Sequence, residues 1–323
     1  SVKNPLTTPA NQSLALLPTF AASNCADYPT ADWPCPGTAH VALDTATGEW
    51  VPLGGPTTTP VVFTTPVGSR PVTADYDGDG TRELAGYDAA TGMWHTDGAR
   101  GTVTYAAPPD IDSDPSTGVH PVPADYDGDG DADPAFYRDA DARWFVQGRP
   151  TVQHGRPTSG TPTFGGTPVH DLPVPGDYDG DGDTDLAVYR LDTTELHVAG
   201  QAPVTTGWPT GDPAVGDYDG DGDDDLGLWD EHASPDRWFI LGAATVTTPF
   251  APYGQERTGL PVIADYDGDG VDDRSVAGTL GTSLFWISSG YQGTGIAGTT
   301  WLAAVGRAET LANHPHVVAY HAA

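Results

Sequence analysis

The stretch Ala74-Asp75-Tyr76-Asp77-Gly78-Asp79-Gly80 returns almost letter for letter at Ala124, Gly176, Gly216 and Ala264. Each copy reads D-Y-D-G-D-G-x-x-[DE], beginning at Asp75, Asp125, Asp177, Asp217 and Asp265, with spacings of 50, 52, 40 and 48 residues. A period of this length points to a repeat architecture such as a propeller rather than to separate domains. The flanks repeat as well. RPVTAD, HPVPAD, LPVPGD and LPVIAD lead into four of the loops; ELAGYD, DPAFYR, DLAVYR and DLGLWD lead out, followed after a turn by MWHTDG, RWFVQG or RWFILG. Each unit therefore reads as strand A, acidic loop, strand B, turn, strand C and a Thr/Val-rich strand D such as TVTYAAP or ATVTTPF.

Four antiparallel strands repeated radially make a β-propeller blade. A sixth unit lacks the acidic loop: HVALDTATGEWVPL (His40–Leu53) aligns with LAGYDAATGMWHT, matching Asp44 to Asp88, Gly48 to Gly92 and Trp50 to Trp94. The terminal NHPHVVAYHAA resembles a strand A that would pair with this unit and close a six-bladed ring. ADWPCPGTAHVALD also resembles ADYDGDGTRELAGYD, which keeps seven blades open, the seventh completed by SLALLPTF. The expected fold is all-β: one propeller domain over residues 40–323, six-bladed with seven as the alternative, carrying residues 1–39 as a packed extension.

Composition agrees. Among 323 residues there are 41 Gly and 31 Pro but one Met, a mixture that suits short strands and turns better than long helices. The net charge of −32 argues against nucleic acid or an anionic membrane as partner, although four to six acids in each loop account for 25 of the 45. No apolar run of about 18 residues exists, so no membrane insertion is expected. Cys25 and Cys35, close together in a Pro-rich stretch, favour a disulfide over a metal pair. Disulfide and acidic loops together favour export, with Ser1 following a removed signal peptide. A monomer is the expected state.

The loops have the donor pattern of a hard cation. Calcium takes six to eight oxygens at loose geometry, and carboxylates alternating with turn-forming Gly supply them. The expected ligands are Asp75, Asp77, Asp79, Thr81 (through its carbonyl) and Glu83 in the first loop. In the second and third they are Asp125, Asp127, Asp129, Asp131 and Asp133, and Asp177, Asp179, Asp181, Asp183 and Asp185. In the fourth and fifth they are Asp217, Asp219, Asp221, Asp223 and Asp225, and Asp265, Asp267, Asp269, Val271 and Asp273. These are not EF-hands, because the twelfth position holds Gly86, Phe136, Val188, Leu228 and Val276 in place of the bidentate Glu. Without a cation, two unit charges about 4 Å apart repel by roughly 1 kcal/mol in water and about 4 kcal/mol at an effective dielectric of 20. About five structural Ca²⁺ ions are expected.

The five loops, followed by LAVYR-type strands and a Trp strand, resemble the FG-GAP (VCBS) repeats of bacterial secreted proteins, and similar calcium loops occur in integrin α-subunit propellers. The resemblance covers roughly residues 40–300. It implies that the ions are structural and lie on the face opposite the one that usually binds ligands. It also implies structural roles for Phe164 in PTFGG and Tyr253 in APYGQ, which match the family's aromatic-Gly pattern. Related propellers with such loops are lectins, so the implied function is non-catalytic binding of a glycan or another cell-surface ligand. A polysaccharide lyase or glycoside hydrolase with a His/Arg site at the propeller mouth is the alternative, and a protein-binding adhesion or scaffold module is a third.

The candidate ligand face begins five residues before each loop's first Asp, where the chain carries Arg70, His120, Leu172, Asp212, Leu260 and, by alignment, His314, with His170 and His316 nearby. Trp50, Trp94, Trp144, Trp238 and Trp286 recur on strand C, with Leu196 once in their place, a regularity that assigns them to packing between blades. Trp208 in TGWPTGD fits no repeat position and is assigned to ligand, together with Arg70, His120, Asp212 and His314. An enzyme would use His120, His314, Arg70 and His170. The long segment Arg149–Asp171 adds His154 and Arg156 as weaker candidates, and neither G-x-S-x-G nor H-E-x-x-H occurs.

Overall fold

Six four-stranded antiparallel sheets form in the computed structural model, which describes residues 39–44, 48–52, 63–78, 83–88, 90–97, 102–104, 119–158, 163–164, 167–168, 171–208, 211–230, 237–243, 245–247, 258–261, 263, 270–272, 274–280, 283–288, 302–303 and 317–322. No helix occurs among the described residues. The first sheet runs in the order Val317–Ala322, Ala39–Asp44, Glu49–Pro52, Phe63–Thr64. Its C-terminal strand pairs with the N-terminal one as the repeat reading expects, with Val41 opposite Tyr320.

The second sheet is Arg70–Pro71, Ala85–Asp88, Met93–Thr96 and Thr102–Thr104. The third is Val119–Pro121, Ala135–Arg138, Arg143–Val146 and Val152–Gln153. The fourth is Asp171–Pro173, Ala187–Arg190, Glu195–Val198 and Val204–Thr205. The fifth is Asp212–Gly216, Asp225–Asp230, Arg237–Ile240 and Val246–Thr247. The sixth is Thr258–Pro261, Ser275–Leu280, Ser283–Ser288 and Leu302–Ala303. Between the third and fourth, Thr163–Phe164 pairs with Thr167–Pro168, a small hairpin within a segment that reads as irregular in the sequence.

The second to fifth sheets pack face to face in chain order, and this explains the second strands. Ala135, Phe136 and Tyr137 are all buried, where a sheet with one wet face would alternate. Phe136 turns toward the second sheet, its ring centroid 4.9 Å from Tyr87 and 5.4 Å from Trp94. Ala135 and Tyr137 turn the other way and share a cluster with Val188 of the fourth sheet. Leu226 and Leu228 of the fifth sheet pack with Tyr189 and Leu196 of the fourth, and Ile263 packs with Trp229 and Trp238 of the fifth. The backbone of Ser275–Leu280 in the sixth sheet lies beside Val317–Ala322 of the first.

Trp50, Trp94, Trp144 and Trp238 are at most 1% exposed, and Leu196 takes the same register position in the fourth sheet, opposite Tyr189. These four strand-C tryptophans are core residues, as their spacing predicts. Trp286 lies opposite Ala277 in the sixth sheet. Cys25, Cys35, Tyr253, His170, His314 and His316 lie outside the described residues, as do Asp79, Thr81, Asp265, Asp267, Asp269 and Asp273.

Candidate metal centre

Each acidic loop follows the first strand of its sheet, and three repeated interactions build the first four. The tyrosine at its second position, buried in the first two loops, donates its hydroxyl back to the strand: Tyr76 to the Val72 carbonyl, Tyr126 to Val122 (2.7 Å), Tyr178 to Val174 (2.9 Å) and Tyr218 to Ala214 (3.2 Å). The first Asp then gathers backbone N–H groups. Asp177 accepts from Gly180 and Gly182 at 2.8 and 2.9 Å, and Asp125 accepts from Gly128 and Gly130 at 2.8 Å each. Gly180 and Gly182 reach this geometry with φ of 68° and 92°, which other residues disfavour. At the ninth position the acid caps the loop by accepting the tyrosine N–H: Glu83 from Tyr76 at 2.7 Å, Asp133 from Tyr126 at 3.2 Å.

This folding converges the carboxylates. In the first two loops, one oxygen each of Asp75, Asp77 and Glu83, and of Asp125, Asp127 and Asp133, lie within 4.8 Å of one another. In the third and fourth the converging sets are Asp177, Asp179 and Asp181, and Asp217, Asp219 and Asp221. A donor set of carboxylate oxygens without nitrogen or sulfur fits a hard dication. Burial first, and like charges after it, leave their mark on these carboxyls. Burial, with Asp127 next among the groups acting in the same sense, pushes the Asp133 carboxyl up to about 6, although the Tyr126 N–H opposes the shift. Burial and then Asp219 push Asp225 up to about 6 as well. Burial, reinforced by Asp179, also raises Asp185.

From the second loop on, the seventh residue lies against the loop before it. A Cβ on Gly78 would come 2.5 Å from Asp131 Oδ1, and one on Gly180 would come 2.0 Å from Asp223 Oδ1. The eighth residue hydrogen-bonds across the same seam. Asp131, Asp183 and Asp223 enter the sequence reading only as members of their own loops, because the contact partner is some 50 residues away.

At the other end of the first strands, Arg70, His120 and Asp212 occupy equivalent places, opposite Tyr87, Tyr137 and Trp229. Arg70 donates through Nη1 to the Val119 carbonyl of the third sheet at 3.1 Å. His120 is 6% exposed, lies 3.0 Å from Asp139 through Nε2, and stacks on Tyr137. Both side chains are engaged by protein. Asp212 is half-buried.

Trp208 turns out to have a repeat position. The Thr206 N–H bonds to the Thr194 carbonyl as the His154 N–H bonds to Ala142, so Trp208 is the counterpart of Arg156. It is half-buried, with its ring centroid 6.0 Å from Phe239, filling the seam between the fourth and fifth sheets. Uneven spacing between repeats hides this equivalence in the sequence.

Arg156 fills the corresponding seam between the third and fourth sheets, and its partners escaped the sequence reading. The fully buried Asp171 accepts from the Arg156 backbone N–H (2.8 Å) and Nε (3.0 Å) and from Arg190 Nε (3.2 Å). Asp192 takes the guanidinium in a two-point grip at 2.6 and 3.0 Å, and this bond holds its own carboxyl below the usual range.

No protein-family model matches the chain, and no curated protein matches it in sequence. In three dimensions it is similar to a lectin. A solved structure of an Agrocybe aegerita lectin, described as recognising non-reducing terminal N-acetylglucosamine, superposes with a TM-score of 0.53 at 14% identity. The match covers 88% of this chain and 95% of the lectin. The likeness is one of fold.

Proposed function

We propose that the protein is a secreted, calcium-stabilised β-propeller of FG-GAP type that binds carbohydrate without catalysing a reaction. The four converging carboxylate triads carry the calcium reading. The second to fifth sheets packed face to face in chain order, with the sixth beside the first, support six blades in a ring. The fold likeness to a lectin over most of both chains supports a glycan as ligand. A bound Ca²⁺ would supply the positive charge that lets the carboxylates of each loop remain ionised together. The chain's own part is to hold those carboxylates through the glycine N–H groups and the tyrosine struts.

A glycan array probed with calcium-loaded protein tests the ligand class. The expected result is reproducible binding to one sugar family, with probes ending in N-acetylglucosamine as the first comparison. A blank array contradicts the carbohydrate reading.

The raised carboxyls give a pH signature. Asp133 and Asp225 titrate near 6 in the folded chain, above the ordinary value near 3.8, so the folded state takes up protons before the unfolded state does. Without calcium, stability therefore rises as pH falls through about 6. With calcium the order reverses, because the cation needs ionised carboxylates and protons displace it. Melting curves at about pH 5 and about pH 8, with calcium and with chelator, should show the calcium increment shrinking at the lower pH. An increment of equal size at both contradicts cation binding by these groups.

A further inference from the structure

Neighbouring loops are joined at one repeated point. The backbone N–H of the eighth loop residue donates to the carbonyl of the first Asp in the preceding loop: Ala132 to Asp75 (2.6 Å), Thr184 to Asp125 (2.7 Å), Asp224 to Asp177 (2.5 Å) and Asp272 to Asp217 (2.7 Å). At the last two seams a second bond runs the other way. The Asp177 N–H donates to Asp224 Oδ2 at 2.9 Å, and the Asp217 N–H donates to Asp272 Oδ2 at 3.2 Å. There the first Asp is gripped on both sides of its α-carbon by the next repeat.

The sequence is matched to this grip. The residue before the first Asp is Ala74, Ala124, Gly176 and Gly216 in turn, and the eighth residue of the following loop is Ala132, Thr184, Asp224 and Asp272. Glycine stands where the clasping residue is Asp. A Cβ on Gly176 would come 2.7 Å from Val215 Cγ1 and 3.0 Å from Asp224 Oδ2, and one on Gly216 would come 2.5 Å from Asp272 Oδ2 and 2.7 Å from Ile263 Cγ2. Neither glycine has a positive φ, so room for the next repeat, its carboxylate included, is what the missing side chain provides.

Resting on the calcium reading above, we infer that Asp224 and Asp272 are positioning residues for the cation site of the preceding loop. Asp177 and Asp217 head the carboxylate triads of the third and fourth loops. Their side-chain direction follows from the backbone that the clasp holds. A cation site in this stretch is therefore completed by the repeat that follows it, and neighbouring sites are coupled through the seam.

Calcium titration of the full chain, followed by ¹H–¹⁵N spectra, reads each loop separately. The Gly180 and Gly182 amides, which donate to Asp177, report the third loop, and those of Gly220 and Gly222, which donate to Asp217, report the fourth. In Asp224→Ala, the calcium needed to half-shift Gly180 and Gly182 should rise about three- to tenfold, the worth of one part-buried hydrogen bond, while Gly220 and Gly222 stay near wild type. Asp224→Asn keeps an oxygen acceptor and should restore the third loop. Gly176→Ala leaves Asp224 in place but crowds it together with Val215, and should weaken the third loop at least as much as Asp224→Ala. A third loop that titrates as wild type in Asp224→Ala, a loss confined to the fourth loop, or a silent Gly176→Ala overturns the inference. Glycine amides of the wild type that never respond to calcium overturn both it and the calcium reading. A normal wild-type titration with an unchanged Asp224→Ala overturns this inference alone.

Discussion

Removing calcium with EGTA should lower the melting temperature by about 10–20 °C. Calcium about tenfold above its Kd contributes roughly 1.4 kcal/mol per site, hence about 7 kcal/mol over the five loops of the sequence. Domain stability is only about 5–15 kcal/mol, so the ions would supply a large share of it. The structure shows why so much rests on them. Outside the loops the sheets are held by ordinary burial of Trp, Tyr and Leu between neighbouring faces. Inside the loops, three or more carboxylates converge at each described site. Differential scanning fluorimetry with and without chelator measures the effect, and restoring calcium should restore the melt. A melt that EGTA leaves within about 2 °C contradicts the stabilising role.

Arg156→Met should destabilise the protein by about 3 kcal/mol, because it strips the main partner from a carboxylate with no exposure to water. Asp171 is 0% exposed and would keep only the backbone N–H of residue 156, at 2.8 Å, and Arg190, whose Nε is 3.2 Å away. The partner variant, Arg156→Met with Asp171→Leu, removes both charges and should recover much of the loss, since an apolar pair of similar size is often as stable as a buried ion pair. Urea unfolding, read as a shift in midpoint with the slope unchanged, separates these outcomes. A single variant within about 0.5 kcal/mol of wild type would mean that the network is screened and adds little.

Local features were legible in the sequence, and contacts between repeats were not. The four-stranded unit, the buried strand-C tryptophans and the turn-forming glycines each follow from periodicity within a few residues. The pairing of the two termini was legible because NHPHVVAYHAA and His40–Leu53 look like complementary parts of one unit. What decides the seams is different. Asp171 meets Arg156 across 15 residues and an intervening hairpin, and Asp224 meets Asp177 across 47, so neither pair shares a strand or a turn whose pattern would announce it. Trp208 looked unique for the same reason: its counterpart, Arg156, shares its backbone position but not its chemistry. Arg70 and His120 do stand at equivalent places as their spacing indicates, yet their partners, Val119 and Asp139, could only be read from the packed sheets.

Calcium binding itself is the claim on which the rest depends, and isothermal titration of the calcium-stripped chain tests it most directly. The account predicts about five ions bound per chain, one for each D-Y-D-G-D-G-x-x-[DE] loop, with loss of one ion when Asp219 in the fourth loop becomes Asn. A titration without measurable binding, or a stoichiometry that Asp219→Asn leaves unchanged, would contradict it.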